Sequence, residues 1–281
     1  MDLRPLGRTG LMVSPIGLGT VKFGRNQGVK YPRPFDLPSD AQARDLLDLA
    51  RSLGINLLDT APAYGSAEQR LGNLLAGQRD DWILCTKVGE SFRDGRSVFD
   101  FSPEATRAGV EGSLRRLRTD RLDVVLVHSD GRAELELDRI GTLDALDDLR
   151  ARGMIRAFGV STKTLAGAAA AIARCGVIMV TYNPVQTADR ASILAAAALG
   201  GQGEEKGQRA GVGVLVKKAL LSGRLDQSPG TTAGQRDPIQ ACMDFVLGEP
   251  NVSSVIVGTI NPDHLRADAR AAERTLRREP G

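Results

Sequence analysis

Residues 54–72 read GINLLDTAPAYGSAEQRLG, and residues 83–88 read ILCTKV. In the first stretch a short aliphatic run closing on an acid (56–59) leads into a loop holding Pro62 and Gly65. A helical pattern follows at 67–75, and the second stretch is another short aliphatic run. Strand, loop, helix and strand in that order make a βαβ unit, the connection that joins parallel strands.

Outward from this unit the same rhythm runs along the whole chain. Strands are expected at 15–20, 56–59, 83–88, 123–128, 157–161, 178–182, 212–217 and 254–257. The helices that follow them are expected at 41–53, 67–75, 103–116, 140–152, 164–174, 190–199, 238–247 and 262–277. Ser39, Ser102 and Asn261 stand where helix N-caps belong, the last two before Pro and an acid. Gly54, Gly77, Gly153, Gly176, Gly200 and Gly248 stand where helices close. Eight such repeats without a linker predict a single α/β domain over residues 1–281, a (β/α)8 barrel with its chemistry at the C-terminal ends of the strands. An open doubly wound sheet is the alternative. Residues 3–13, with Gly7 and Gly10, resemble a β-hairpin that would plug the bottom of a barrel and has no role in an open sheet.

Composition bounds the function classes. Of 281 residues 42% are hydrophobic and 25% charged, which excludes a disordered or collagen-like chain. The 37 basic and 34 acidic residues leave a net charge of +3 with the signs interspersed, so no nucleic acid partner is expected. Arg266, Arg270, Arg274, Arg277 and Arg278 read as a solvated helix face. Cys85, Cys175 and Cys242 lack a CxxC spacing, and the only two histidines, His128 and His264, lie too far apart in sequence for an HExxH site, so neither a disulfide framework nor a metal is expected. With no signal-peptide core and no apolar run of membrane-spanning length, a cytoplasmic protein without membrane attachment is expected. Gly17, Gly19 and Gly24 do not make a dinucleotide fingerprint, because Lys22 takes the place of its third glycine, and GVGV at 211–214 lacks the GK[ST] of a P-loop.

Four ionisable residues fall at or just beyond neighbouring strand ends: Asp59, Tyr64, Lys87 and His128. Singly, each has an ordinary reading as a turn former, a solvated cation or a hydrogen-bonded strand end. Together they do not, because a Lys and an Asp at the ends of adjacent buried strands must pair to offset desolvation. A phenol beside that pair would have its pKa lowered by the ammonium. Such a phenol is a general acid.

The stretches already quoted, with GLGT (17–20), LDVVLVH (122–128), GMIRAFGVS (153–161), TYNPVQ (181–186), GVGVLVKKALLSGRL (211–225) and SSVIVGTINPDHLRAD (254–268), resemble the aldo-keto reductase superfamily nearly end to end. The resemblance implies that Tyr64 donates the proton to a substrate carbonyl, Lys87 activates it, Asp59 holds Lys87, and His128 orients the carbonyl. It implies NADPH as cofactor, with NADH possible, bound by Gly19, Thr20, Val21, Asp59, Ser161, Thr162, Met179, Lys217, Lys218, Leu220, Ser222, Gly258, Thr259, His264 and Asp268. Thr162 stands where the family has Asn, Met179 where it has Gln, Lys217 where an aromatic stacks on the nicotinamide, and His264 where it has Arg. Ala267 and Asp268 replace its Glu-Asn, so the discrimination for NADPH is expected to be modest. The partner implied is a small-molecule carbonyl substrate, on a monomer or weak homo-oligomer. Its pocket is expected from loops 22–38, 129–139 and 222–236, with Phe23, Tyr31 and Phe35 as aromatic walls. Two other readings stand beside it. One is a cofactor-binding sensor or regulatory subunit on the same fold with little turnover, and the other is a barrel using Lys87 as a Schiff-base amine.

Overall fold

The computed structural model describes residues 1–29, 31–198, 211–225 and 237–277. Its centre is a closed parallel barrel. The strands are β1 (Ile16–Gly19), β2 (Leu57–Asp59), β3 (Ile83–Val88), β4 (Leu122–His128), β5 (Ile155–Ser161), β6 (Val177–Thr181), β7 (Gly213–Lys217) and β8 (Ser254–Val257), each beside the next, with β8 closing on β1. The helices around it are α1 (Asp40–Ser52), α2 (Ala67–Leu74), α3 (Pro103–Leu117), α4 (Thr142–Ala151), α5 (Leu165–Arg174), α6 (Arg190–Ala198), α7 (Pro238–Leu247) and α8 (Pro262–Arg277).

The period of two along each strand sorts the apolar residues into two cores. Leu57, Cys85, Val124, Leu126, Ala157, Val177, Met179 and Leu215 face inward and fill the barrel. Their neighbours Leu58, Leu84, Val125, Phe158, Ile178, Val214 and Val216 face outward under the helices. The N-terminal hairpin pairs Arg4–Pro5 with Met12–Val13 and inserts Leu6, Leu11 and Val13 into the inner core, so it does plug the bottom.

Local chemistry sets the helix starts. The Ser39 hydroxyl accepts from the Gln42 amide at 3.2 Å while Gln42 Oε1 accepts from the Ser39 amide at 2.9 Å, a complete capping box. Ser102 caps α3, and Asn261 Oδ1 accepts from the amides of Asp263 and His264 at the start of α8. Glu68 of α2 is wholly buried, which an unpaired carboxylate would not tolerate. It accepts from the Thr86 hydroxyl at 2.5 Å and from Arg116 Nε at 2.7 Å, tying α2 to β3 and α3.

Three features depart from the sequence reading. The fourth helix does not run unbroken from 140: a turn at Leu137–Ile140 precedes it, and Gly141 at φ 91° separates the two. Between β3 and α3 an antiparallel hairpin, Glu90–Arg93 with Arg96–Phe99, stands where only loop was expected. Phe23 is not a pocket wall; it is fully buried in the core between barrel and helices. Residue 199 of the sixth expected helix, Gly200, most of the loop expected at 222–236, Lys30 and Arg278 lie outside the described residues. Among the described residues no helix is long and apolar enough to cross a membrane.

Candidate active site

Strand periodicity also builds the site. Asp59, Lys87, His128 and Lys217 each lie two residues beyond an inward-facing core residue (Leu57, Cys85, Leu126 and Leu215), and Ser161 lies four beyond Ala157. All five therefore belong to one polar layer capping the barrel interior.

Lys87 is 2% exposed, and its Nζ donates to Asp59 Oδ1 at 2.6 Å and to the Thr60 carbonyl at 2.9 Å. Burial alone would lower the lysine's pKa, but Asp59, joined by Tyr64 and Cys85, holds the ammonium well above the ordinary range. The same Nζ stands 5.0 Å from the centre of the Tyr64 ring, and the His128 ring meets the Tyr64 ring edge-on at 6.2 Å. The four residues singled out in the sequence are thus brought together. The expected direction of the phenol's shift is not what the site produces. Burial pushes the Tyr64 hydroxyl above the ordinary phenol range, with Lys87 as the largest opposing influence and Asp59 adding to the rise. The phenol stays protonated at neutral pH.

Tyr64 ends a tight turn, Pro62–Tyr64, that packs directly on the loop after β1. A Cβ on Gly24 would clash with the Tyr64 carbonyl and the Ala67 amide. One on Gly65, at φ 63°, would clash with the Gly24 carbonyl. Two glycines back to back thus set the depth at which the phenol sits.

The hairpin beyond β3 adds a residue that sequence reasoning missed. Gly89, at φ 90°, turns the chain out of β3, and Glu90 comes to rest with Oε2 2.6 Å from Nδ1 of His128. This is ion-pair distance, though the alignment of a straight hydrogen bond is not met. The Ser97 hydroxyl donates to Glu90 Oε1 at 2.5 Å. Burial would raise the Glu90 carboxyl, yet His128, Ser97 and Arg25 together bring it down to about 2. Arg25 lies 3.4 Å from the Phe92 ring centre and donates to the Ala63 carbonyl at 3.0 Å, linking hairpin, β1 loop and Tyr64 turn. The Asp94-Gly95 pair at the hairpin tip was the available signal.

Around this group lie the residues expected to bind a cofactor. Gly19 ends β1; Thr20 is buried and donates its hydroxyl to the Asp59 carbonyl at 3.0 Å, and Val21 opens the next turn. Lys217 Nζ donates to Ser161 Oγ at 2.8 Å and to the Thr162 carbonyl at 2.7 Å. Burial, helped by Lys218, Lys87 and Lys163, lowers the Lys217 ammonium to about 7. Met179 packs in the inner core beneath this layer. Lys218, Leu221 and Ser222 adopt positive φ, at 59°, 54° and 56°, a concentration of unfavourable backbone beside Leu220 that clusters at ligand clamps. Across the mouth, Tyr31 packs edge-on against Phe35 at 5.6 Å, and its hydroxyl lies 2.7 Å from where a Cβ on Gly258 would stand. Thr259 accepts from the Asn261 amide at 3.0 Å; His264 is exposed on the first turn of α8, with Asp268 buried one turn on. Burial and Asp237 push the Asp268 carboxyl up to about 7.

A nicotinamide cofactor fits these residues on one count independent of the resemblance. Thr162 Oγ1, at the C-terminal end of β5, is buried without a hydrogen-bond partner among the described residues. It sits beside Ser161, where the resemblance places the carboxamide.

Comparison with known proteins identifies the family. Residues 15–233 match the model of the aldo/keto reductase family. A solved structure from Pseudomonas aeruginosa, provisionally named an aldo-keto reductase, superposes with a TM-score of 0.84 at 46% identity, covering 98% of this chain and 95% of that one. An aldo-keto reductase from Bacillus halodurans in its holo form superposes with a TM-score of 0.79 at 26% identity, over 100% of this chain and 92% of that one. The L-galactose dehydrogenase of Arabidopsis thaliana is 34% identical over 166 residues, 57% of this chain and 48% of that protein. The chain spans about half the length of the curated relatives it matches. On the matched length, the barrel and the solved neighbours, the chain belongs to the aldo/keto reductase family of enzymes.

Proposed function

We propose that the protein interconverts carbonyl compounds and alcohols with NADPH, NADH serving less well, and that Tyr64 is its general acid in the direction of reduction. One observation carries this reading: Lys87 Nζ, 2.6 Å from Asp59, lies 5.0 Å from the Tyr64 ring centre with the His128 ring at its edge. The cofactor, held by Ser161, Thr162, Lys217 and the loop at 218–222 with Gly258 and Thr259 across the mouth, supplies the hydride when bound.

The chain's own residues manage the oxygen. A carbonyl gaining an electron pair becomes an alkoxide, which a phenol can protonate and an imidazole can orient. Burial keeps the Tyr64 phenol protonated until that charge develops. Lys87 then stabilises the phenolate that remains, and Asp59 and the Thr60 carbonyl keep the ammonium in place. His264, an exposed residue where the family has arginine, gives a weaker hold on a 2'-phosphate, so the preference for NADPH is modest. A dehydrogenase among the relatives agrees with the same site running in reverse.

The test is reduction of 4-nitrobenzaldehyde by NADPH. Tyr64→Phe is expected to lose about 100-fold or more in kcat, the range of a lost general acid, while the Kd for NADPH stays within about twofold. Near-unchanged kcat in the variant would overturn the assignment.

A further inference from the structure

His128 has two ring nitrogens, and only one state of them suits each direction of the reaction. To orient a carbonyl oxygen the ring must present an N–H; to receive an alcohol hydroxyl it must present a lone pair. Which nitrogen carries the proton of a neutral imidazole is set by the group facing the other one. In this chain that group is Glu90. Its Oε2 stands 2.6 Å from Nδ1, at ion-pair distance, with a side chain 11% exposed, and His128 itself, then Ser97 and Arg25, hold the carboxyl low against burial. A bare Nδ1 lone pair at that distance from a carboxylate would be repelled, whereas an Nδ1–H is attracted.

We propose that Glu90 is a positioning residue that fixes the tautomer of His128, keeping a proton on Nδ1 so that Nε2 is the nitrogen left for the substrate oxygen. The use made of Nε2 rests on the carbonyl–alcohol activity proposed above; the tautomer does not. With Nδ1 always protonated, Nε2 is a lone-pair acceptor in the neutral ring and a donor only in the imidazolium. The charge on His128 then decides which way the site is set: the charged ring serves the carbonyl, and the neutral ring serves the alcohol. Burial favours the neutral ring most strongly, Lys87 and Lys217 add to that, and Glu90 opposes them. Glu90 therefore both names the nitrogen and moves the switch toward higher pH. The hairpin at 90–99, which belongs to none of the eight repeats, has this contact with the site as its consequence.

The experiment is nitrogen NMR of full-length protein labelled with 15N-histidine. The chain has two histidines, so a His264→Gln spectrum assigns His128. In the wild type at alkaline pH, His128 is expected with its proton on Nδ1 and a lone-pair shift at Nε2. Glu90→Gln is expected to lose the exclusive Nδ1–H form and to titrate at lower pH. Its pH profile of kcat for 4-nitrobenzaldehyde reduction should depart from that of the wild type in step with the changed tautomer and midpoint, with Glu90→Asp recovering part of the wild-type profile. A neutral wild-type ring protonated on Nε2, or a Glu90→Gln protein with unchanged tautomer and midpoint, overturns the proposal. The wild-type spectrum decides by itself should Glu90→Gln not fold. Because it is taken on resting enzyme, an Nδ1–H ring in a protein that reduces no carbonyl would sink the proposed activity and leave the role of Glu90 standing.

Discussion

Asp268 is a carboxyl that the fold holds against its own preference for water. It is 3% exposed, and burial together with Asp237 raises it to about 7. The folded state therefore binds its proton more tightly than the unfolded chain, where an Asp titrates near 3.9. The sign follows from linkage: between about pH 4 and pH 7 this group makes stability fall as pH rises, and the deficit persists above pH 7. Asp268→Asn should remove that slope and stabilise the protein at pH 8 by ~2 kcal/mol, while changing little at pH 4. Urea unfolding at the two pH values checks it, and equal shifts at both would mean the carboxyl is not buried in its charged form. Asp59 and Lys87 were legible in the sequence because both end short buried strands, where a charge without a partner is costly. Glu134 was not. It clamps the Ser129 hydroxyl at 2.6 Å and the Lys163 amide at 2.6 Å from a loop with no periodicity, and nothing local marks it out.

Among the elements, the turn carrying Tyr64 owes its position to glycine rather than to its own residues. Gly24→Ala should push the Tyr64 turn away from the loop after β1, since the added methyl meets the Tyr64 carbonyl and the Ala67 amide, both backbone. We expect kcat for aldehyde reduction to fall about tenfold, because a shift of ~1 Å in a reacting group can cost up to 100-fold. Stability should drop by about 1–3 kcal/mol, the usual cost of overpacking. Full activity in a destabilised Gly24→Ala protein would show that the phenol's depth is set elsewhere. The eight strand–helix repeats were readable because parallel strands buried on both faces are aliphatic throughout, and the caps at Ser39, Ser102 and Asn261 stand where they were expected. The hairpin at 90–99 escaped because its strands are half-exposed and do not alternate cleanly, leaving Asp94-Gly95 as its one local sign. The approach of Tyr31 to Gly258 escaped for another reason: it joins residues at opposite ends of the chain, and no window of sequence contains both.

For the molecule as a whole, the inner and outer cores divide the labour. Leu6 is fully buried at the closed end of the barrel, remote in the fold from the polar layer at the open end. Leu6→Ala should cost about 3 kcal/mol through lost burial and the cavity left behind. At temperatures where the variant stays folded, kcat/KM should stay within about twofold of wild type. A large loss of kcat/KM in folded protein would mean that the plug transmits to the site. The stopper has a kinetic meaning as well. Leu6, Leu11 and Val13 share one apolar core with Leu57, Val124 and Leu215, so the described residues set apolar side chains between the lower face and Lys87. On the activity proposed above, substrate, product and each exchanged proton would share one neck, at the open end of the barrel where the polar layer lies. Whatever covers that neck seals the ammonium and the phenol from bulk water, so solvent-deuterium exchange into the pair should stall for as long as the neck is filled.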